Sequence, residues 1–245
     1  MARLSRPVLS ATAALLASAA LSAMWDSTAC AADMTEALDA RHKACLERIA
    51  EDQDLALEEA MIWRDQGGAR RARHCEAMAL FALGHEGEAA HRLDALASGR
   101  DGGSDEMRAN FRSEAANFWL AAEEPGRALA SATAGLDHDA ASAPLRIARA
   151  RAHVALGDVP AAEAELDRVL KDHPGQAEAL RYRADARLRR GRLHSAKQDI
   201  EASLEAAPDS VETALLRGRI NEAIRLFDAT RSASDAAVEA KPARE

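Results

Sequence analysis

The sequence predicts an all-α superhelix of stacked antiparallel helix pairs, and three observations carry that expectation. The first is composition: Ala and Leu dominate, β-branched residues are a minority and only 7 of 245 residues are Pro. No segment alternates apolar and polar residues as a strand does. The second is a ladder of alanines, Ala56, Ala89, Ala128, Ala162 and Ala196, spaced 33, 39, 34 and 34 residues apart. The third is punctuation in the same register, with Gly157 and Gly191 lying 34 apart and Pro174 and Pro208 also 34 apart. A helical stretch runs up to the Gly, a second begins about three residues later around the Ala, and the Pro closes the unit.

Taken in order, residues 1–31 read as a secretory signal. Arg3 and Arg6 supply a basic start, Val8 to Met24 is apolar, and Ala29-Cys30-Ala31 fits small-x-small cleavage before Ala32. The apolar run is broken by Ser and shorter than the ~20 residues of a spanning helix, which favours export over anchoring. Lipidation at Cys30 is the alternative route to a membrane. The mature chain then has net charge −9, since the full chain carries −8 and the removed Arg3, Arg6 and Asp26 sum to +1. The expected location is the periplasm, with secretion further outward as the alternative.

The helical array is expected over 32–228, in units of about 37–69, 70–103, 109–142, 143–176 and 177–210, with an irregular last unit at 211–228. Unit one pairs a helix near Thr35 to Ala50 with one near Asp54 to Asp65, and Gly67-Gly68 ends it. Unit two runs Arg71 to Leu83, turns at Gly84 and continues from Glu86 to Ala97. The stretch from Gly99 to Asp105 reads as a flexible polar loop and accounts for the 39-residue step. Unit three runs from Glu106 to Ala122, turns at Glu124-Pro125-Gly126 and carries Phe111, Phe118 and Trp119, which read as core. Asp209 to Phe227 is expected as one helix containing Gly218. A short capping helix near Ala229 to Glu239 and a disordered end at Lys241 to Glu245 complete residues 229–245.

The 34-residue helix-turn-helix with these Gly, Ala and Pro positions resembles the tetratricopeptide repeat. That resemblance implies a superhelical solenoid whose first helices line a concave surface. Carried onto this chain, the inward positions are Arg41/Cys45/Arg48, His74/Met78/Phe81, Ser113/Asn117/Leu120, Ile147/Arg151/Val154, Arg181/Asp185/Leu188 and Leu215/Arg219/Glu222. The contact candidates are Arg41, Arg48, His74, Asn117, Arg151, Arg181 and Arg219. An acidic chain that turns Arg inward would focus its field on an acidic or carboxylate-ended peptide. The competing reading is that Arg serves as a helix former with a long stem over Ala surface. Arg146, Arg149, Arg183, Arg187, Arg190 and Arg192 cannot all face one groove. Glu165 is expected on the outer side.

Cys45 and Cys75 lie on first helices of neighbouring units, and an oxidising compartment favours a disulfide between them. Free thiols and a metal set of His42, Cys45, His74 and Cys75 are the other two readings. A bridge over that loop would contribute about 3.7 kcal/mol in the chain-entropy treatment.

An acidic chain with 3% aromatic residues lacks the basic stripe and stacking platforms that nucleic acid requires. There is no G-x-S-x-G, H-E-x-x-H, G-x-x-x-x-G-K-[ST] or G-x-G-x-x-G, and no C-x-x-C. His85, His138, His173 and His194 fall at turns or helix ends, and His91 and His153 have no acid or nucleophile partner in the pattern. The expectation is a non-catalytic protein-interaction scaffold without cofactor that binds an envelope protein or peptide. An assembly subunit using its convex face or its ends is the alternative, and a metal carrier the third.

Overall fold

The computed structural model describes residues 34–239, with side chains from 34 to 233. The expected signal segment, the lipidation site at Cys30 and the end from Lys241 lie outside the described residues. Within them there are eleven helices and no strand. These are α1 (34–51), α2 (Gln53–Asp65), α3 (Ala69–Ala82), α4 (Glu86–Ser98), α5 (Asp105–Ala121), α6 (Pro125–His138), α7 (Ala143–Ala155), α8 (Val159–Asp172), α9 (Ala177–Arg189), α10 (Leu193–Ala206) and α11 (Val211–Glu239).

Local chemistry sets the boundaries. Asp52, Ser104 and Asp158 each accept a backbone N–H from the first turn that follows, and Pro opens α6, α7 and α8. The turns closing α7 and α9 place Gly157 and Gly191 at φ +84° and +71°, where any Cβ would be strained. The equivalent turn after α5 uses Glu123 at φ +58° instead.

The alanine ladder is the packing seam. Ala56, Ala89, Ala128, Ala162 and Ala196 are all fully buried, because a methyl group is what lets the second helix of each pair approach its neighbours closely. Leu93, Phe118 and Trp119 fill one core cluster, with Phe81 stacked on Phe118 at a centroid distance of 3.8 Å. Further along, Leu166, Val169 and Leu180 fill a second cluster, and Ile200, Leu216 and Ile220 close the far end. Gly135 marks the tightest crossing: a Cβ there would meet Leu145 Cδ2 at 2.5 Å and Arg112 Cβ at 2.9 Å. Consecutive helices pack pairwise, and α5, α7, α9 and α11 also adjoin one another in sequence.

Two expectations are corrected. The end of the array is not a helix plus a separate cap, because α11 runs unbroken for 29 residues. Between Phe227 and Ala229 the sequence offers neither Gly nor Pro, and Thr230 Oγ1 bonds back to Phe227 O at 2.8 Å, so nothing stops the helix. The stretch after α4 is also tied down. Arg108 donates to the carbonyls of Ala97 and Gly103, and Arg73 pairs with Asp101 at 2.9 Å, so the inserted loop is bound to α3 and α5.

Candidate functional site

Seven arginines in the second half of the chain are engaged by buried carboxylates on second helices. Glu165 on α8 receives Arg146 at 3.0 Å, Arg149 at 2.8 Å and Arg168 at 2.5 Å. Glu163, on the same helix, receives Arg187, Arg190 and Arg192 at 3.1, 2.5 and 2.7 Å. On α10, Asp199 receives Arg183 and Arg187, both at 2.7 Å. Burial alone would raise the Glu163 and Glu165 carboxyls. Hydrogen bonds and charge from their arginines outweigh it and hold both below the usual carboxylate value. Glu165 is therefore not on the outer surface as expected, since three cations make its burial tolerable.

What remains on the inner face is a smaller group centred on α9. Arg181 lies over the Tyr182 ring at 4.2 Å and Arg151 lies over it at 5.2 Å. Arg151 is positioned by Asn117 Oδ1, which accepts from it at 2.5 Å, and Asn117 in turn donates to Ser113 O at 3.0 Å. Asp185 accepts from Arg189 at 2.6 Å and faces Arg219 at 3.8 Å. Among the described residues Arg181 has no ion pair within 4 Å. Two neighbouring cavities share this group. One, of about 400 Å³, is walled by Leu120, Val154 and Leu166 with Arg151, Asp185 and Arg189 at its rim. The other, of about 370 Å³, lies between α9 and α11, with Arg181, Glu212, Leu215 and Arg219.

The other candidates fall elsewhere. Arg41 stacks over Trp63 at 4.7 Å, and Arg48 pairs with Glu51 and Glu59, so both line a separate cavity between α1 and α2. His74 is only 8% exposed, and its ring nitrogens meet His42 and Glu114. Ile147, given as an inward position, belongs to the core. The sulfurs of Cys45 and Cys75 lie at bonding distance, 1.96 Å, with Cα atoms 6.3 Å apart. The metal set His42, Cys45, His74 and Cys75 is therefore not assembled, because the two sulfurs face each other. Burial, followed by the charges of His74 and Arg71, pushes the His42 imidazole down to about 4.

Comparison with known proteins agrees with the repeat geometry. Residues 147–211 match the family described as tetratricopeptide repeat. Over these residues the chain carries tetratricopeptide repeats. Among solved structures it is similar to TTC0263, a thermophilic tetratricopeptide-repeat protein of Thermus thermophilus. That match has 21% identity over 75% of this chain and 98% of the other, with a TM-score of 0.56. It is also similar to YrrB, described as a tetratricopeptide-repeat protein with an unusual peptide-binding site, at 14% identity over 69% and 85% of the two chains and a TM-score of 0.53. The first such domain of Spaghetti (RPAP3), bound to an HSP90 peptide, matches at 25% identity over 50% of this chain and 97% of its own, with a TM-score of 0.46. No curated protein matches the sequence. The first two likenesses establish the solenoid fold.

The residues that sequence reasoning missed are Tyr182, which organises the inner cations, and the carboxylates Glu163, Glu165 and Asp199. A signal for the latter exists. Arg149 and Arg183 are 34 apart, Glu165 and Asp199 are 34 apart, and each Arg precedes its acid by 16 residues. The pair therefore recurs with the repeat.

Proposed function

We propose that this protein is a non-catalytic tetratricopeptide-repeat scaffold of the cell envelope that holds a peptide or protein segment along its inner face. The supporting observation is the group formed by Arg151, Arg181 and Arg219 around Tyr182 and Asp185, next to the apolar walls of Leu120, Val154 and Leu215. An extended segment that places an apolar side chain on those walls and a carboxylate against Arg181 fits this chemistry. The charge balance there is positive while the chain is acidic overall, which favours an acidic partner and predicts affinity that falls with salt. Export rests on the signal-like residues 1–31, and a Cys45–Cys75 disulfide is consistent with an oxidising compartment.

The test is photo-crosslinking in cells from Val154 and Leu215 on the inner face, with exposed Lys197 on α10 as control. One envelope protein trapped from the inner sites and not from Lys197 supports the reading. Adducts only from Lys197, or only with the chain itself, would sink it. A second reading, an assembly subunit that works through its ends, is favoured by one observation: α11 leaves Val211, Leu215, Leu226 and Phe227 more than half exposed. Sedimentation of the purified chain separates the two, since that reading requires an oligomer.

A further inference from the structure

His42 on α1 and His74 on α3 face each other across the first two repeats, with His42 Nε2 2.9 Å from His74 Nδ1 and ring centroids 5.0 Å apart. The far nitrogen of His74, Nε2, lies 2.9 Å from Glu114 Oε2 on α5. A carboxylate oxygen accepts, so the Glu114 contact places a proton on Nε2 and turns the Nδ1 lone pair toward His42. Glu114 thus stands to His74 as an outer carboxylate stands to a metal-ligating imidazole. The two helices are held in register close by, because Cys45 is one turn beyond His42 and Cys75 is adjacent to His74. A cavity of about 350 Å³ opens on both imidazoles and is lined also by Asp39, Arg70, Arg71, Met107 and Phe111.

We propose that His42 Nε2 and His74 Nδ1 form a two-histidine site for a tetragonal divalent cation, Cu²⁺ or Ni²⁺, with Glu114 as the orienting carboxylate and water from the cavity completing the coordination. The spacing selects the geometry. Two nitrogens at about 2.0–2.1 Å from one ion lie about 2.9 Å apart when cis at a right angle, as in square-planar or octahedral coordination, and about 3.3–3.4 Å apart at the tetrahedral angle. The observed 2.9 Å matches the first in distance, and the cation would replace the proton that the two imidazoles share as a hydrogen bond in the free protein. Among the described residues no group of three or more His, Cys, Asp or Glu side chains converges on a metal, so the site has two protein ligands and room for exchangeable ones. The local charge is mixed: Arg71 is paired with Asp39 at 2.5 Å and the Glu114 carboxylate lies against His74, while Arg70 also lines the cavity. Metal binding here is independent of any ligand on the α9 face, which shares no residue with this cavity.

The test is calorimetric titration of the purified, untagged chain with Cu²⁺, Ni²⁺ and Zn²⁺, each salt alone, combined with electron paramagnetic resonance of the Cu²⁺ form. One equivalent of Cu²⁺ with a two-nitrogen signature is expected. His42→Ala and His74→Ala should each abolish it, exposed His194→Ala should leave it unchanged, and Glu114→Gln should weaken it about 10-fold. His42 is half-buried where His74 is buried, so His42→Ala keeps the test decisive if His74→Ala does not fold, and circular dichroism establishes which variants fold. Stoichiometric binding that survives His42→Ala, no binding at all, or tighter binding of Zn²⁺ than of Ni²⁺ would each overturn the proposal.

Discussion

Trp119 Nε1 on α5 donates to Asp94 Oδ2 on α4 at 2.8 Å. The same carboxylate takes Arg112 at 2.7 Å and Ser131 Oγ on α6 at 2.7 and 2.8 Å. One acid thus joins three helices and three donor groups. Removing it strands a buried indole N–H, a buried hydroxyl and a guanidinium at once. Asp94→Ala should therefore lower the unfolding free energy by about 2–4 kcal/mol, read as a fall in urea midpoint at unchanged slope. A loss below about 0.5 kcal/mol would show that the network does not act as a unit.

Gly135 tests the packing of α6. A methyl group there would sit 2.5 Å from Leu145 Cδ2 and 2.9 Å from Arg112 Cβ, so either α5 or α7 must move outward. Gly135→Ala should destabilise by about 1–3 kcal/mol despite the better helix propensity of Ala, as measured by thermal unfolding.

Glu123 offers the opposite sign. It is exposed and holds φ +58° in a turn where the later repeats use Gly. A side chain in that region costs roughly 1–2 kcal/mol. Part of the gain is offset by the larger backbone entropy that Gly brings to the unfolded chain. Glu123→Gly should raise stability by about 0.5–1 kcal/mol, and a lowered melting temperature would contradict it.

Reduction isolates the first repeat. If Cys45 and Cys75 are bonded in solution, the chain shows no free thiol from this pair under native oxidising conditions. Dithiothreitol should then cost about 2–4 kcal/mol, with faster amide exchange concentrated in α1. Unchanged exchange in α1 after reduction would mean that packing alone holds it.

Acid should act on the far half of the array. Glu163 and Glu165 titrate below their ordinary value of 4.5 in the folded chain, so between the folded and unfolded values the unfolded chain binds more protons. Their contribution is complete above about pH 5 and is lost as pH falls through 4.5 toward the lowered values. Urea unfolding at pH 7, 5 and 3.5 should show little change over the first step and a clear loss over the second. Replacing both with Gln should flatten the second step.

The repeat length, the fully buried alanines and the glycine turns were legible because each is a backbone or close-packing requirement that only one or two residue types meet. The unbroken α11 was not, since the Gly218 segment imitates a turn while the residues after it simply permit helix. The inner cations were half legible. Arg151, Arg181 and Arg219 do gather, whereas Arg41 and Arg48 turn toward α2. A heptad-like offset on one helix cannot show which of two neighbouring helices a long side chain will reach. His74 was read as a contact surface and is buried, because Phe111 and His42 cover it from two sides.

The carboxylates of α8 give the array a fixed order. Glu165 takes its arginines from α7 and α8, within its own unit, while Glu163 takes Arg187, Arg190 and Arg192 from α9 and the turn that follows it. Sequence similarity among the units suggests modules that could be shuffled, yet moving the fourth in front of any partner without those arginines would leave a buried acid without its counter-charge, at a cost of about 3–5 kcal/mol. The units share a shape but are not interchangeable: the fourth carries half of a charge code that its natural successor completes.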